Sequence, residues 1–129
     1  MKLLFIQGGS RWKFDDAGTP YTDPNFNTQI WSRYKGYCDE LTVILRRETK
    51  IYTQKEAQAN FNETGGFIDN CVSLPDAYRP LLNYFSLKKR LTIKKVIESE
   101  VKKADKVIIR SLGTIYTNTA LKYARKYHK

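Results

Sequence analysis

The chain opens on an unbroken apolar run, Leu3 to Ile6, closed by Gln7 and two glycines. A continuous run without alternation predicts a parallel strand buried on both faces, here Leu3 to Gln7. Leu41 to Leu45, a segment within Phe67 to Leu74 that Pro75 stops, and Lys106 to Arg110 have the same character and predict three more strands. Between them the period lengthens. Ile30, Trp31, Tyr34 and Cys38 form the stripe of a helix that Asn27 or Thr28 can cap and Gly36 can stop. A long helix is predicted from Ser86 to Ala104, with Leu87, Leu91, Ile93, Ile97, Val101 and Ala104 inward and the lysines of the KK pairs largely outward. A last helix, Thr114 to Lys126, would bury Ile115, Ala120, Leu121 and Ala124. Gly8 to Phe26 and Thr49 to Gly66 show no clear period and are expected to be long connections, the first leaving the carboxyl end of the first strand. Within the second, Gln54 to Asn60 can turn a short helix, and Ile51 to Thr53 admits either strand or loop.

Strands alternating with helices call for right-handed crossovers and an α/β fold: a Rossmann-like open parallel sheet of about four strands, order 3-2-1-4, in one domain over residues 1–129. In that order the first and fourth strands are neighbours, and ligands bind beyond their carboxyl ends. The candidate ligand-binding residues are therefore Gly8, Gly9, Ser10 and Arg11 from one strand end and Arg110, Ser111 and Thr114 from the other. Two glycines allow close backbone approach and an amide-lined loop suited to phosphate or sugar oxygens, or they merely make a turn. Arg110 ends a strand expected to be buried, so its guanidinium should enter the crevice or meet a buried carboxylate. Ser111, Gly113 and Thr114 stand at a helix start, which favours anions and equally suits ordinary capping. Neither GxGxxG nor a Walker pattern is present.

Composition narrows the chemistry. A chain of 129 residues allows one small core. Cys38 and Cys71 show no metal-ligand spacing and are expected to be reduced core thiols. Asp15-Asp16 makes a poor metal site, no Ser/His/Asp or Cys/His set can be assembled around the single histidine, His128, and no metal or other cofactor is expected. The apolar runs are too short for a signal core or a membrane span, so a cytoplasmic location is expected. Charge is lopsided: residues 88–129 hold thirteen basic side chains against Glu98, Glu100 and Asp105, which accounts for the whole net charge of +10. Such an excess suits anionic lipid, phosphorylated ligands or nucleic acid, or it forms solvated helix faces. Nucleic acid is the less favoured partner, because the late aromatics do not interleave with Lys and Arg as a stacking platform would.

KLLFIQGG, NTQIWSRYKGYCDELTVILRRE, NCVSLPD and the closing ADKVIIRSLGT with ALKYARKYHK resemble the N-terminal, acceptor-binding domain of GT-B-type glycosyltransferases, particularly the bacterial family 4 enzymes of surface polysaccharide assembly. The likeness covers nearly the whole chain. It implies two facing Rossmann-like domains with transfer in the cleft between them, this chain being half of that architecture, incomplete at its C-terminal end and inactive by itself. The implied reaction moves a sugar from a nucleotide-sugar donor to a glycan or lipid-linked acceptor, with retention and without a metal. The resemblance matches Gly8, Gly9, Arg110 and Ser111 to the cleft wall. The Lys-rich outer face of the helix from Ser86 to Ala104, after the apolar Leu81, Leu82, Tyr84 and Phe85, adds peripheral contact of the complete enzyme with an anionic membrane at the inner face as an expectation. The alternative function is a basic α/β module that binds nucleic acid or phosphorylated ligands.

Overall fold

The computed structural model describes residues 1–79 and 81–129, and it shows an α/β fold built on a mixed six-stranded sheet. The strands are β1 (Lys2–Asp15), β2 (Pro20–Thr22), β3 (Glu40–Tyr52), β4 (Asn62–Glu63), β5 (Asn70–Leu74) and β6 (Lys106–Arg110). Four α-helices accompany them: α1 (Thr28–Lys35), α2 (Gln54–Asn60), α3 (Leu87–Lys103) and α4 (Ile115–Lys126), with a 3-10 turn at Leu81–Phe85. The four expected strands pair in parallel in the order β5-β3-β1-β6, and Gln7 stands opposite Arg110.

The clean four-stranded sheet needs correction, because β2 joins β1 and β4 joins β2 in antiparallel pairs. Their source is the stretch expected to be a connection. β1 does not end at Gln7 but runs through Gly8 and Gly9 to Asp15, and β3 likewise runs on to Tyr52. The reason lies in burial: Trp12 is fully enclosed and donates Nε1 to the Val72 carbonyl at 3.0 Å, while Ser10, Lys13 and Asp15 are also buried. The strand is irregular between Ile6 and Arg11, where its register on β3 shifts, so no simple period survives. Asp15 then closes the hairpin. Its carboxylate accepts from the amides of Ala17 and Thr19 and from the Tyr21 hydroxyl, each at 2.9 Å, and Gly18 supplies the positive φ of 81° that the turn needs.

This carboxylate makes stability depend on acid. Burial pushes the Asp15 carboxyl up, but the Thr19 amide, the Tyr21 hydroxyl and the Ala17 and Gly18 amides together outweigh it and hold it below the ordinary 3.8. A depressed folded value means that its contribution is complete above 3.8 and is lost as pH falls through the folded value. Asp15→Asn should therefore lower the urea midpoint at neutral pH, with the gap to wild type closing below pH 3.8. A gap independent of pH would contradict this role.

Two apolar layers sandwich the parallel core. On one face Phe5, Phe26, Trp31 and Tyr34 meet at centroid distances of 5.0–6.3 Å under α1, each pair contributing about 0.5–1.5 kcal/mol beyond its buried area. On the other, α3 and α4 bring Ile93, Ile97, Val101, Tyr116, Ala120 and Tyr123 onto Leu4, Ile6 and Ile44. Here two expectations fail. Leu87 and Leu91 are 77% and 54% exposed, because the Ile93–Ile97–Val101 stripe meets the sheet and lies well round the helix from them. In α4 the tyrosines Tyr116 and Tyr123 fill the core, whereas Leu121 and Ala124 are half-buried beside the unpaired edge of β6. Cys71 is exposed on the edge strand β5, so only Cys38 has partial cover; both are free thiols.

Candidate functional site at the carboxyl edge of the sheet

Where the parallel pairing of β1 with β6 and of β3 with β5 ends, Gly8 within β1 and Arg46 within β3 stand beside Ser111, which follows β6, and Asp76, which follows β5. Gly8 and Thr114 are in close contact: a Cβ at Gly8 would stand 2.2 Å from Thr114 Oγ1 and 2.6 Å from its Cγ2. That hydroxyl caps α4, accepting from the Thr117 amide at 3.2 Å, while Thr117 Oγ1 accepts from the Thr114 amide at 3.3 Å. The glycine is thus required by the approach of a helix start to a strand.

The amides of the glycine stretch are already engaged. Gln7 Oε1 accepts from Gly9 N at 3.1 Å and Ser10 N at 2.5 Å, and Gln7 Nε2 donates to Ser111 Oγ at 3.2 Å. One glutamine side chain therefore ties β1 to the residue that follows β6 and occupies the donors that an anion would use. Ser111 adopts φ 59°, and its carbonyl accepts from Thr117 Oγ1 at 3.1 Å. Arg110 does not enter this cluster. It is exposed and lies over the Phe26 ring at 5.5 Å on the α1 face, beside Ile30, Arg33, Tyr34 and Tyr37. Being at the end of an edge strand, it needs no buried carboxylate.

Arg11 belongs instead to an ion-paired array that sequence reading did not assemble. Asp76, with only 4% of its side chain exposed, faces Arg46 at 3.4 Å and Arg11 at 3.8 Å, and its Oδ1 accepts from the amides of Tyr78 and Arg79 at 2.9 and 3.2 Å. Arg11 also meets Glu48 at 3.4 Å, and Glu48 lies 3.7 Å from the buried Lys13, which pairs with Asp23. Arg46 donates Nη2 to the Gly9 carbonyl at 3.3 Å and lies over the Tyr78 ring at 5.4 Å, but its buried Nε has no partner among the described residues. Burial, and then its hydrogen bond to Glu48, push the Tyr52 hydroxyl up to about 12, so it remains a donor. The array balances three cations against three carboxylates. It can orient a hydroxyl-rich ligand by hydrogen bonds without a large net field.

Arg46, Glu48 and Asp76 carried a faint sequence signal, as charged residues placed directly after apolar strand runs in LRRE and LPD. Behind them Tyr116 locks the edge, donating to the Pro75 carbonyl at 2.6 Å and accepting from the Ala77 amide at 2.8 Å. Burial foremost pushes its hydroxyl up to about 12. Among the described residues no three His, Cys, Asp or Glu side chains gather as a metal site, and no helix is long and apolar enough to cross a membrane. Comparison with family models, curated proteins and solved structures finds no match to the chain.

Proposed function

We propose that the chain is the acceptor-side domain of a GT-B-type, family 4-like glycosyltransferase, with its Rossmann-like parallel core forming one wall of the transfer cleft. The observation that carries this reading is the state of the carboxyl edge. A nucleotide-binding edge keeps backbone amides and a helix start open for a diphosphate. Here Gln7 occupies the Gly9 and Ser10 amides, and Thr114 and Thr117 cap their own helix. Polar side chains remain at the same edge, with Arg11 and Glu48 partly accessible at 23% and 13%. Such a surface suits the hydroxyls of a glycan acceptor, while the donor's diphosphate would be held by another domain. In that division of labour this chain contributes orientation and no charge stabilisation of the leaving group.

Calorimetric titration of the chain with common nucleotide sugars should give dissociation constants weaker than about 10 μM, or about −7 kcal/mol. Amide shift mapping with oligosaccharide acceptors should move Gly8, Ser10, Arg11 and Ser111. Tight nucleotide-sugar binding, or acceptor shifts confined to another face, would refute the acceptor-side assignment.

A further inference from the structure

Arg110, which turns away from the carboxyl edge, closes a cleft of about 320 Å³ between α1 and β6 that is otherwise lined by Ile30, Arg33, Tyr34 and Tyr37. The helical period makes this lining. Ile30, Arg33, Tyr34 and Tyr37 fall at i, i+3, i+4 and i+7, so one stripe of α1 and the turn after it faces the end of the strand. Part of the stripe reaches the core, since Tyr34 meets Phe5 and Trp31 at 5.0 and 6.3 Å, whereas Tyr37 is 74% exposed. On this face of the sheet β6 brings only the half-buried Ile108 to the core, because α3 and α4 lie on the other face. Both guanidiniums lack a counter-ion. Among the described residues neither Arg33 nor Arg110 forms a salt bridge. Arg110 rests on the Phe26 ring at 5.5 Å, a contact that uses none of its N–H donors.

We propose that this cleft binds a small aromatic carboxylate, with its ring against Tyr34 and Tyr37 and its carboxylate held by the guanidiniums of Arg33 and Arg110. Charge and shape together select that class. Two arginines without counter-ions call for an anion, and a planar fork of N–H donors suits a carboxylate. Two tyrosine rings beside Ile30 call for a flat apolar body that can stack at an offset. A volume of about 320 Å³ stands at the lower end for ligand pockets and fits a one-ring molecule better than a nucleotide. The cleft also lies against the last turn of α1, to which Arg33 belongs and whose carbonyl end carries partial negative charge. A doubly charged phosphate meets that end less favourably than a single carboxylate does. None of these residues belongs to the Arg46–Asp76 array, so the assignment holds whether or not the chain handles sugars.

NMR titration of the full chain tests the site, with benzoate, benzyl alcohol, acetate and phenyl phosphate as probes. Benzoate should bind with a dissociation constant of about 1 mM or below, moving the Tyr37 amide and the Nε signals of Arg33 and Arg110. Benzyl alcohol lacks the charge and acetate lacks the ring, so each should bind about tenfold more weakly or worse. Phenyl phosphate should bind no more tightly than benzoate. Arg110→Gln and Tyr37→Ser replace exposed side chains, and unchanged melting temperatures will verify that both variants fold. Each should weaken benzoate binding by about fivefold or more. A benzoate dissociation constant above about 10 mM, shifts centred on another face, or full affinity in either variant would overturn the assignment. So would equal binding of benzyl alcohol or acetate, or tighter binding of phenyl phosphate. None of these outcomes bears on the nucleotide-sugar and acceptor titrations.

Discussion

Asp76→Ala should destabilise the fold by about 3 kcal/mol, the cost of removing a buried carboxylate from two partly buried cations. Among the described residues the carboxylate is the only acidic group on Arg46 and one of two on Arg11, and it also receives the amides of Tyr78 and Arg79. Truncation removes the carboxylate from all four donors and leaves Arg11 with Glu48 and Arg46 with the Gly9 carbonyl, in a molecule whose total stability is on the order of 5–15 kcal/mol. Asp76→Asn keeps an acceptor for the two amides and should cost less than Asp76→Ala. Arg46→Met in the Asp76→Ala background should recover part of the loss, because the stranded guanidinium goes with it. Urea unfolding at neutral pH measures all three. A loss below about 1 kcal/mol for Asp76→Ala would mean that water screens the array as it does a surface pair.

Gly8→Ala is the second change expected to have a large effect. The new methyl would stand 2.2, 2.6 and 2.8 Å from Oγ1, Cγ2 and Cβ of Thr114. Thr114 cannot swing aside freely, since its hydroxyl is held in the capping box with Thr117. The strand or the start of α4 must shift, at about 2–3 kcal/mol for overpacking of this kind, with Tm falling by roughly 10 °C. Thr114→Gly removes every atom in conflict and, as an acceptable cap, should cost only a few tenths of a kcal/mol by itself. The double variant should therefore be more stable than Gly8→Ala alone. If thermal melts show the two losses simply adding, the contact between β1 and α4 is looser than the distances indicate.

The sequence by itself determined the parallel core. Continuous apolar runs at Leu3–Ile6 and Leu41–Leu45 are satisfied by burial on both faces, the shorter run Val107–Ile109 forms a half-buried edge strand, and alternating helices enforce the crossovers that yield β5-β3-β1-β6. Caps were legible because they act locally: Ser86 and Thr114 accept from the Lys89 and Thr117 amides three residues away. What only the tertiary structure decided depends on residues distant along the chain. Whether Gly8 to Phe26 is loop or strand turns on Trp12 reaching Val72, sixty residues on, and on β3 extending to receive it. Whether Leu87 and Leu91 are core or surface turns on which of two apolar stripes of α3 meets the sheet, a choice that period alone leaves open. The charged array joins residues from β1, β3 and the turn after β5, so its members lie as far apart as Arg11 and Asp76. Local propensity acts over a few residues, whereas burial and ion pairing are settled only when the strands meet.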